Sequence, residues 1–153
     1  MKRIFVVAAI LSLFLFSCSR EPGVPEPTGP FAHLNLYLFS APWCHSCNEE
    51  LPQVDNTYKT FDHSKLKVLV YVVNGKTPSS PPTPEILAWY KSFLGVDLDM
   101  EMDPHYKIYR KYFEGGLVLP TGVVLTDDGQ LVHRFYPPYE VSYLFQSIQS
   151  KLK

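Results

Sequence analysis

The chain has 153 residues, enough for one domain with a real core and too few for two without crowding. Its 14 Lys plus Arg stand against 15 Asp plus Glu, so the overall charge gives no reason to expect nucleic acid or an anionic surface as the main partner. Any activity must come from a local site.

The first segment, MKRIFVVAAILSLFLFSCSR, reads as an export signal, with Lys2 and Arg3 as a basic start and Ile4 to Phe16 as an apolar stretch in which Ser12 is the one polar residue. That stretch is short of the roughly 20 apolar residues a spanning helix needs. It is not amphipathic, and a Pro-rich segment follows it, so it does not read as a helix of the fold. Its end, Leu15-Phe16-Ser17-Cys18, resembles the lipobox of bacterial lipoproteins, although Phe16 stands where a small or medium residue is usual. The resemblance implies that residues 1–17 are removed, that Cys18 is lipidated, and that the protein is tethered in the bacterial envelope with its domain facing the periplasm. Acyl chains hold a protein on a membrane at about 0.8 kcal/mol per buried methylene. The alternative is ordinary cleavage near Ser17, with Cys18 an incidental thiol.

SREPGVPEPTGP, residues 19–30, is rich in Pro and Gly and reads as an extended, partly stiff tether. The folded domain is expected over residues 31–153. Leu34 to Phe39 and Leu66 to Val73 have the length and branching of strands, the second buried on both faces, and a helix from about Trp43 separates them. This order is a βαβ unit with parallel neighbours. Thr83-Pro84-Glu85 then signals a cap, a first-turn proline and an acid at the positive end of a helix running to about Leu94. VDLDMEM alternates as one short strand. Asp103-Pro104 repeats the cap signal, with Ile108, Tyr109, Tyr112 and Phe113 on one helical face before Gly115-Gly116. TGVVLT, the turn at Asp127-Asp128-Gly129 and QLVHRF form a hairpin. Val141, Leu144, Phe145, Ile148 and Leu152 recur at helical spacing to close the chain. The whole predicts an α/β domain, a mixed sheet with helices on both faces.

Three cysteines are an odd number, and lipidation of Cys18 would leave Cys44 and Cys47 as a pair in WCHSC. Two thiols so spaced can be a redox couple, half of a metal site or a structural crosslink. The crosslink reading is weak, because the stabilisation from a disulfide grows with the loop it closes.

WCHSC after a strand, Glu50-Leu51-Pro52 soon after, and LPTGVVLTDDGQLV downstream together resemble the thioredoxin superfamily, specifically the TlpA/ResA-like thiol-disulfide oxidoreductases of the bacterial envelope. The resemblance covers roughly residues 31–153, and residues 75–103 resemble the insertion of that branch. It implies a thioredoxin-like fold and no cofactor beyond the redox-active Cys44–Cys47 disulfide. Cys44 becomes the exposed nucleophile, activated at a helix N-terminus, and Cys47 the resolving thiol. Pro120 becomes a cis proline that lets the Leu119 backbone pair with an extended substrate segment. Trp43 either shields the thiols and contacts substrate or packs beside the motif. His45, if protonated, favours the Cys44 thiolate, and if neutral and solvated does little. Pro52 reads as a helix kink. His33, His63, His105 and His133 are scattered and read as surface or packing residues.

Two departures stand out. Leu38 occupies the position of the buried acid of plain thioredoxins, and VVNGK after the second strand offers no obvious acid either. Water or His45 is then left to take the proton that Cys47 must lose. The expected function is disulfide exchange with protein thiol or disulfide clients, in the reducing direction, with apocytochrome c as one candidate client. The expected partners are those clients, a membrane or periplasmic electron donor and the membrane itself; the protein is expected to be a monomer and not to bind nucleic acid. The rivals are a Cu(I)-binding metallochaperone-like module and a redox-inactive binding domain that retains the fold.

Overall fold

The computed structural model describes residues 27–153; the segment expected to be an export signal and Cys18 lie outside the described residues. Five strands form one sheet in the order β3-β2-β1-β4-β5. β1 (Leu34–Ser40) lies parallel to β2 (Leu66–Val72), which lies parallel to β3 (Asp99–Met102). On its other side β1 runs antiparallel to β4 (Thr121–Leu125), and β4 to β5 (Leu131–Phe135). The parallel half needs crossovers. These are α1 (His45–Tyr58) between β1 and β2, and α2 (Pro84–Leu94) between β2 and β3. The antiparallel half closes with a turn in which Gly129 has φ 83°.

Because side chains alternate along a strand, β1 feeds two cores. Leu34, Leu36 and Leu38 join Val68, Val70 and Val72 against Leu51 and Val54 of α1, Tyr90 of α2, and Leu144 and Ile148 of α4 (Val141–Lys151). Phe39, on the opposite face, joins Tyr71, Val123, Tyr109 and Phe113, and both cysteines belong to this second cluster. Helices therefore cover both faces, as expected, but unequally. Three long helices cover one face; on the other lie the single-turn α3 (Tyr109–Tyr112) and aromatic rings stacked edge to face. Gly122 lets β4 approach β1, since a Cβ there would stand 2.8 Å from Leu38 Cδ2 and 3.0 Å from the Tyr37 carbonyl.

Local rules account for most element ends. Thr83 Oγ1 accepts the Ile86 N–H at 3.3 Å, Pro84 occupies the first turn, and Gly95 ends α2 in the left-handed region at φ 65°. The Asp103-Pro104 signal behaves differently. Pro104–Tyr106 form one tight turn, with φ at His105 of 62° and at Tyr106 of 59°, and the Asp103 carboxylate reaches past it to accept the N–H groups of Ile108 at 2.7 Å and Tyr109 at 2.8 Å. The cap thus serves the second segment, and the expected helix is split.

Candidate active site

β1 ends at Ser40, and the chain turns through Ala41 and Pro42 into Trp43 and the cysteines. The turn is closed by the Cys44 N–H donating to the Ala41 carbonyl at 3.0 Å. Cys44 is the N-cap of α1, with φ −81° and ψ 104°, one residue later than the helix start expected near Trp43. A Cys here does what Ser or Asp does at other helix starts. Its Sγ accepts the Cys47 N–H at 3.2 Å, while its carbonyl accepts the Asn48 N–H at 3.1 Å. The two cysteines are joined as a disulfide with Cα atoms 5.2 Å apart.

Cys47 is fully enclosed and Cys44 is 6% exposed. The expectation of an exposed nucleophile is therefore corrected: Cys44 is nearly buried, because Phe39, Ala41, Tyr109 and Phe113 pack in the same cluster. It is still the more accessible member of the pair. Trp43 stands beside it, 37% exposed. Pro52 lies within α1, which continues to Tyr58.

The Leu119–Pro120 bond is cis. Pro120 lines the same groove as Ser46, between the cysteines, and Leu119 packs against the cluster that contains both sulfurs. The Tyr109 hydroxyl holds the approach to this bond, donating to the Gly116 carbonyl at 3.2 Å and accepting the Val118 N–H at 3.1 Å. No hydrogen bond to the Leu119 backbone is found among the described residues.

The groove has a volume of about 440 Å³ and is lined by Glu49, Glu50, Tyr139 and Glu140 as well as Ser46, Pro120 and the cis Pro137–Pro138 pair. Glu50, three residues beyond Cys47, faces the same side of α1. Burial pushes its carboxyl from 4.5 up to about 7, against the opposing effect of a hydrogen bond donated by Tyr139 to Oε1. A carboxyl poised there can take or give a proton at neutral pH.

Leu38 is a core residue and Asn74 follows the second strand, as the sequence requires; the ionisable carboxyl that lines the groove belongs to Glu50 on α1. In the sequence Glu50 stands out only as part of the Glu50-Leu51-Pro52 motif. A signal was present in its spacing from Cys47, yet its raised pKa comes from burial in the folded chain, against the opposing hydrogen bond from Tyr139, 89 residues away. His45 has a different setting. Its imidazole is largely exposed and pairs with Glu49, Nε2 to Oε1 at 3.3 Å, so any charge it carries is offset.

No family model and no curated protein sequence matches the chain. Solved structures do. StoA from Bacillus subtilis superposes with a TM-score of 0.62 at 16% identity, over 76% of this chain and 82% of that one. The pneumococcal exposed lipoprotein thioredoxin Etrx1 from Streptococcus pneumoniae gives 0.63 at 25% identity, over 79% and 87%. A thiol-disulfide isomerase from Corynebacterium glutamicum gives 0.64 at 18% identity, over 81% and 83%. With a Cys-x-x-Cys disulfide capping the first helix, a cis proline in the adjoining groove and this sheet order, the chain has the thioredoxin fold of these structures.

Proposed function

We propose that the protein reduces disulfides of other proteins in the bacterial envelope, tethered by lipid on Cys18, with cysteines of apocytochrome c among its candidate clients. In the reduced form the Cys44 thiolate attacks one sulfur of a client disulfide, and the other client sulfur leaves as a thiolate that takes a proton from solvent. Cys44 and the client are then joined. The Glu50 carboxylate accepts the Cys47 proton, directly or through water, and the Cys47 thiolate attacks Cys44 Sγ. The second client thiol is released, and the Cys44–Cys47 disulfide is left for a donor dithiol to reduce. Leu119, with its backbone free to pair with an extended client segment, and Trp43, beside Cys44, position the client.

The observation that carries the reducing direction is electrostatic. Cys44 Sγ accepts one N–H bond, while Glu49, Glu50 and Glu140 line the adjoining groove without a Lys or Arg among its lining residues. A thiolate so placed is weakly stabilised, which favours the disulfide and makes the dithiol a good electron donor. Replacement Cys47→Ser is expected to accumulate mixed disulfides with clients in cells, visible on non-reducing gels and lost with thiol. Equal trapping by Cys44→Ser would overturn the assigned roles. Cys18→Ala is expected to move the protein from the membrane to the soluble fraction, and unchanged fractionation would remove the lipid anchor from the account.

A further inference from the structure

The segment WCHSC is closed at its base by a side chain. Asn48, the residue after Cys47, donates from Nδ2 to the carbonyl of Pro42, the residue before Trp43, at 3.0 Å. The clasp is gripped from α2. Tyr90, fully buried, brings its hydroxyl to 2.8 Å from Asn48 Oδ1, 2.9 Å from Ser40 Oγ and 3.3 Å from the Ala41 carbonyl.

A phenol has one proton and two lone pairs, which orders these contacts. The hydroxyl donates to Asn48 Oδ1, its nearest neighbour, and accepts from Ser40 Oγ, with the Ala41 carbonyl as a weaker second acceptor. One oxygen thus joins the end of β1, the turn before the cysteines and the first turn of α1. Burial pushes the phenol up to about 12, so it stays neutral through the physiological range.

Tyr90 is held in place from beyond its own helix. The segment after α2 is tied to α1 where the Asp97 N–H donates to Asp55 Oδ1 at 3.0 Å, and Lys59 Nζ bridges Asp55 at 2.7 Å and Asp97 at 2.8 Å. With Asn48 near one end of α1 and Asp55 farther along it, α2 is braced at two points. The hydroxyl is a fixed support.

We propose that Tyr90 is a positioning residue for the redox pair, setting the thiolate reactivity of Cys44 through the Asn48–Pro42 clasp. The N–H of Cys47 that reaches Cys44 Sγ across the disulfide is the donor that a Cys44 thiolate needs after reduction. A hydrogen bond to a charged acceptor is about twice as strong as a neutral one, so the reduced form depends more on the aim of that N–H than the oxidised form does. Loosening the clasp costs the reduced, ionised state more. This rests on the exchange role given to the cysteines above.

The test is the pH dependence of iodoacetamide alkylation of Cys44 in the reduced, full-length protein. Tyr90→Phe keeps the ring and removes the hydroxyl. It is expected to raise the pH midpoint of alkylation and to slow alkylation at pH 7 by three- to tenfold, with His45, Glu49 and Glu50 all unchanged. Thr83→Ala, which weakens α2 at its cap, is the control expected to leave the midpoint in place. If Tyr90→Phe leaves the midpoint unchanged, or if Thr83→Ala moves it equally, Tyr90 is a packing residue and the proposal fails. Should Tyr90→Phe not fold, Asn48→Ala removes the clasp from the other side and is read the same way, an unmoved midpoint again overturning the proposal. Alkylation needs no client, so a protein that reduces no disulfide yet shows the Tyr90 shift would contradict the proposed function alone.

Discussion

On one flank of α1, Asn48 turns toward Tyr90, and every contact is a neutral hydrogen bond. On the other, Glu50 turns toward Tyr139 and the Pro137–Pro138 segment, where a carboxyl is held partly away from water. Two residues apart on a helix places them on nearly opposite sides, with the cysteines at the N-terminal end between them. The neutral flank can fix geometry but cannot exchange a proton near pH 7; the ionisable flank can exchange one at a cost in stability. The redox helix separates the two tasks.

The sharpest way to break this contrast is Glu50→Gln. Proton acceptors of this kind contribute about 100-fold or more, so release of the client from Cys44 is expected to slow by about that factor, and its rise with pH through about 7 to flatten. Stopped-flow reduction of a model protein disulfide across pH reads both. Stability should move the opposite way. Glu50 has a folded pKa above its unfolded value, so its protonated form favours folding below about 4.5, and that contribution is lost as pH rises through about 7. The difference between those values corresponds to on the order of 3 kcal/mol. Above pH 7 the Gln variant is therefore expected to be more stable than the parent by up to that amount, and below pH 4 about equal, by denaturant unfolding. A protein that keeps a destabilising carboxyl beside its cysteines fits a proton-transfer role.

The brace between α1 and α2 gives a smaller effect. Asp55, 3% exposed, satisfies the Asp97 N–H and pairs with Lys59. Asp55→Ala is expected to cost about 1–3 kcal/mol by leaving that N–H without its partner. A change in Cys44 alkylation alongside it would show that the brace is needed to hold Tyr90. The smallest effect belongs to Thr83→Ala, about 1 kcal/mol for a lost cap and no change in exchange rate.

What could be read from the sequence was what local chemistry decides. Thr83-Pro84 and Gly95 bound α2 because capping and a left-handed stop act within a few residues. The hairpin at Gly129 and the apolar face of α4 follow from turn chemistry and helical period. Cys44, Cys47 and cis Pro120 came from a motif whose parts the fold brings together. The flanks were hidden, because their properties come from distant partners. Glu50 is an ordinary helical acid until the fold buries it, and Tyr90 an ordinary core position until its hydroxyl meets Asn48 and Ser40, 42 and 50 residues away. The short α3 failed for a related reason: an Asp-Pro pair says where a turn starts, but not that the carboxylate will reach beyond it to Tyr109.

The reducing assignment rests on a Cys44 thiolate that is weakly stabilised beside an acidic groove, and the reduction potential of the Cys44–Cys47 pair in the intact protein tests it, by equilibration against glutathione or dithiothreitol. The expected value lies near or below the about −270 mV of thioredoxin. A value near the about −120 mV of a strong oxidant such as DsbA would mean that the reduced form is stabilised after all, and would reverse the direction of electron flow assigned to this protein.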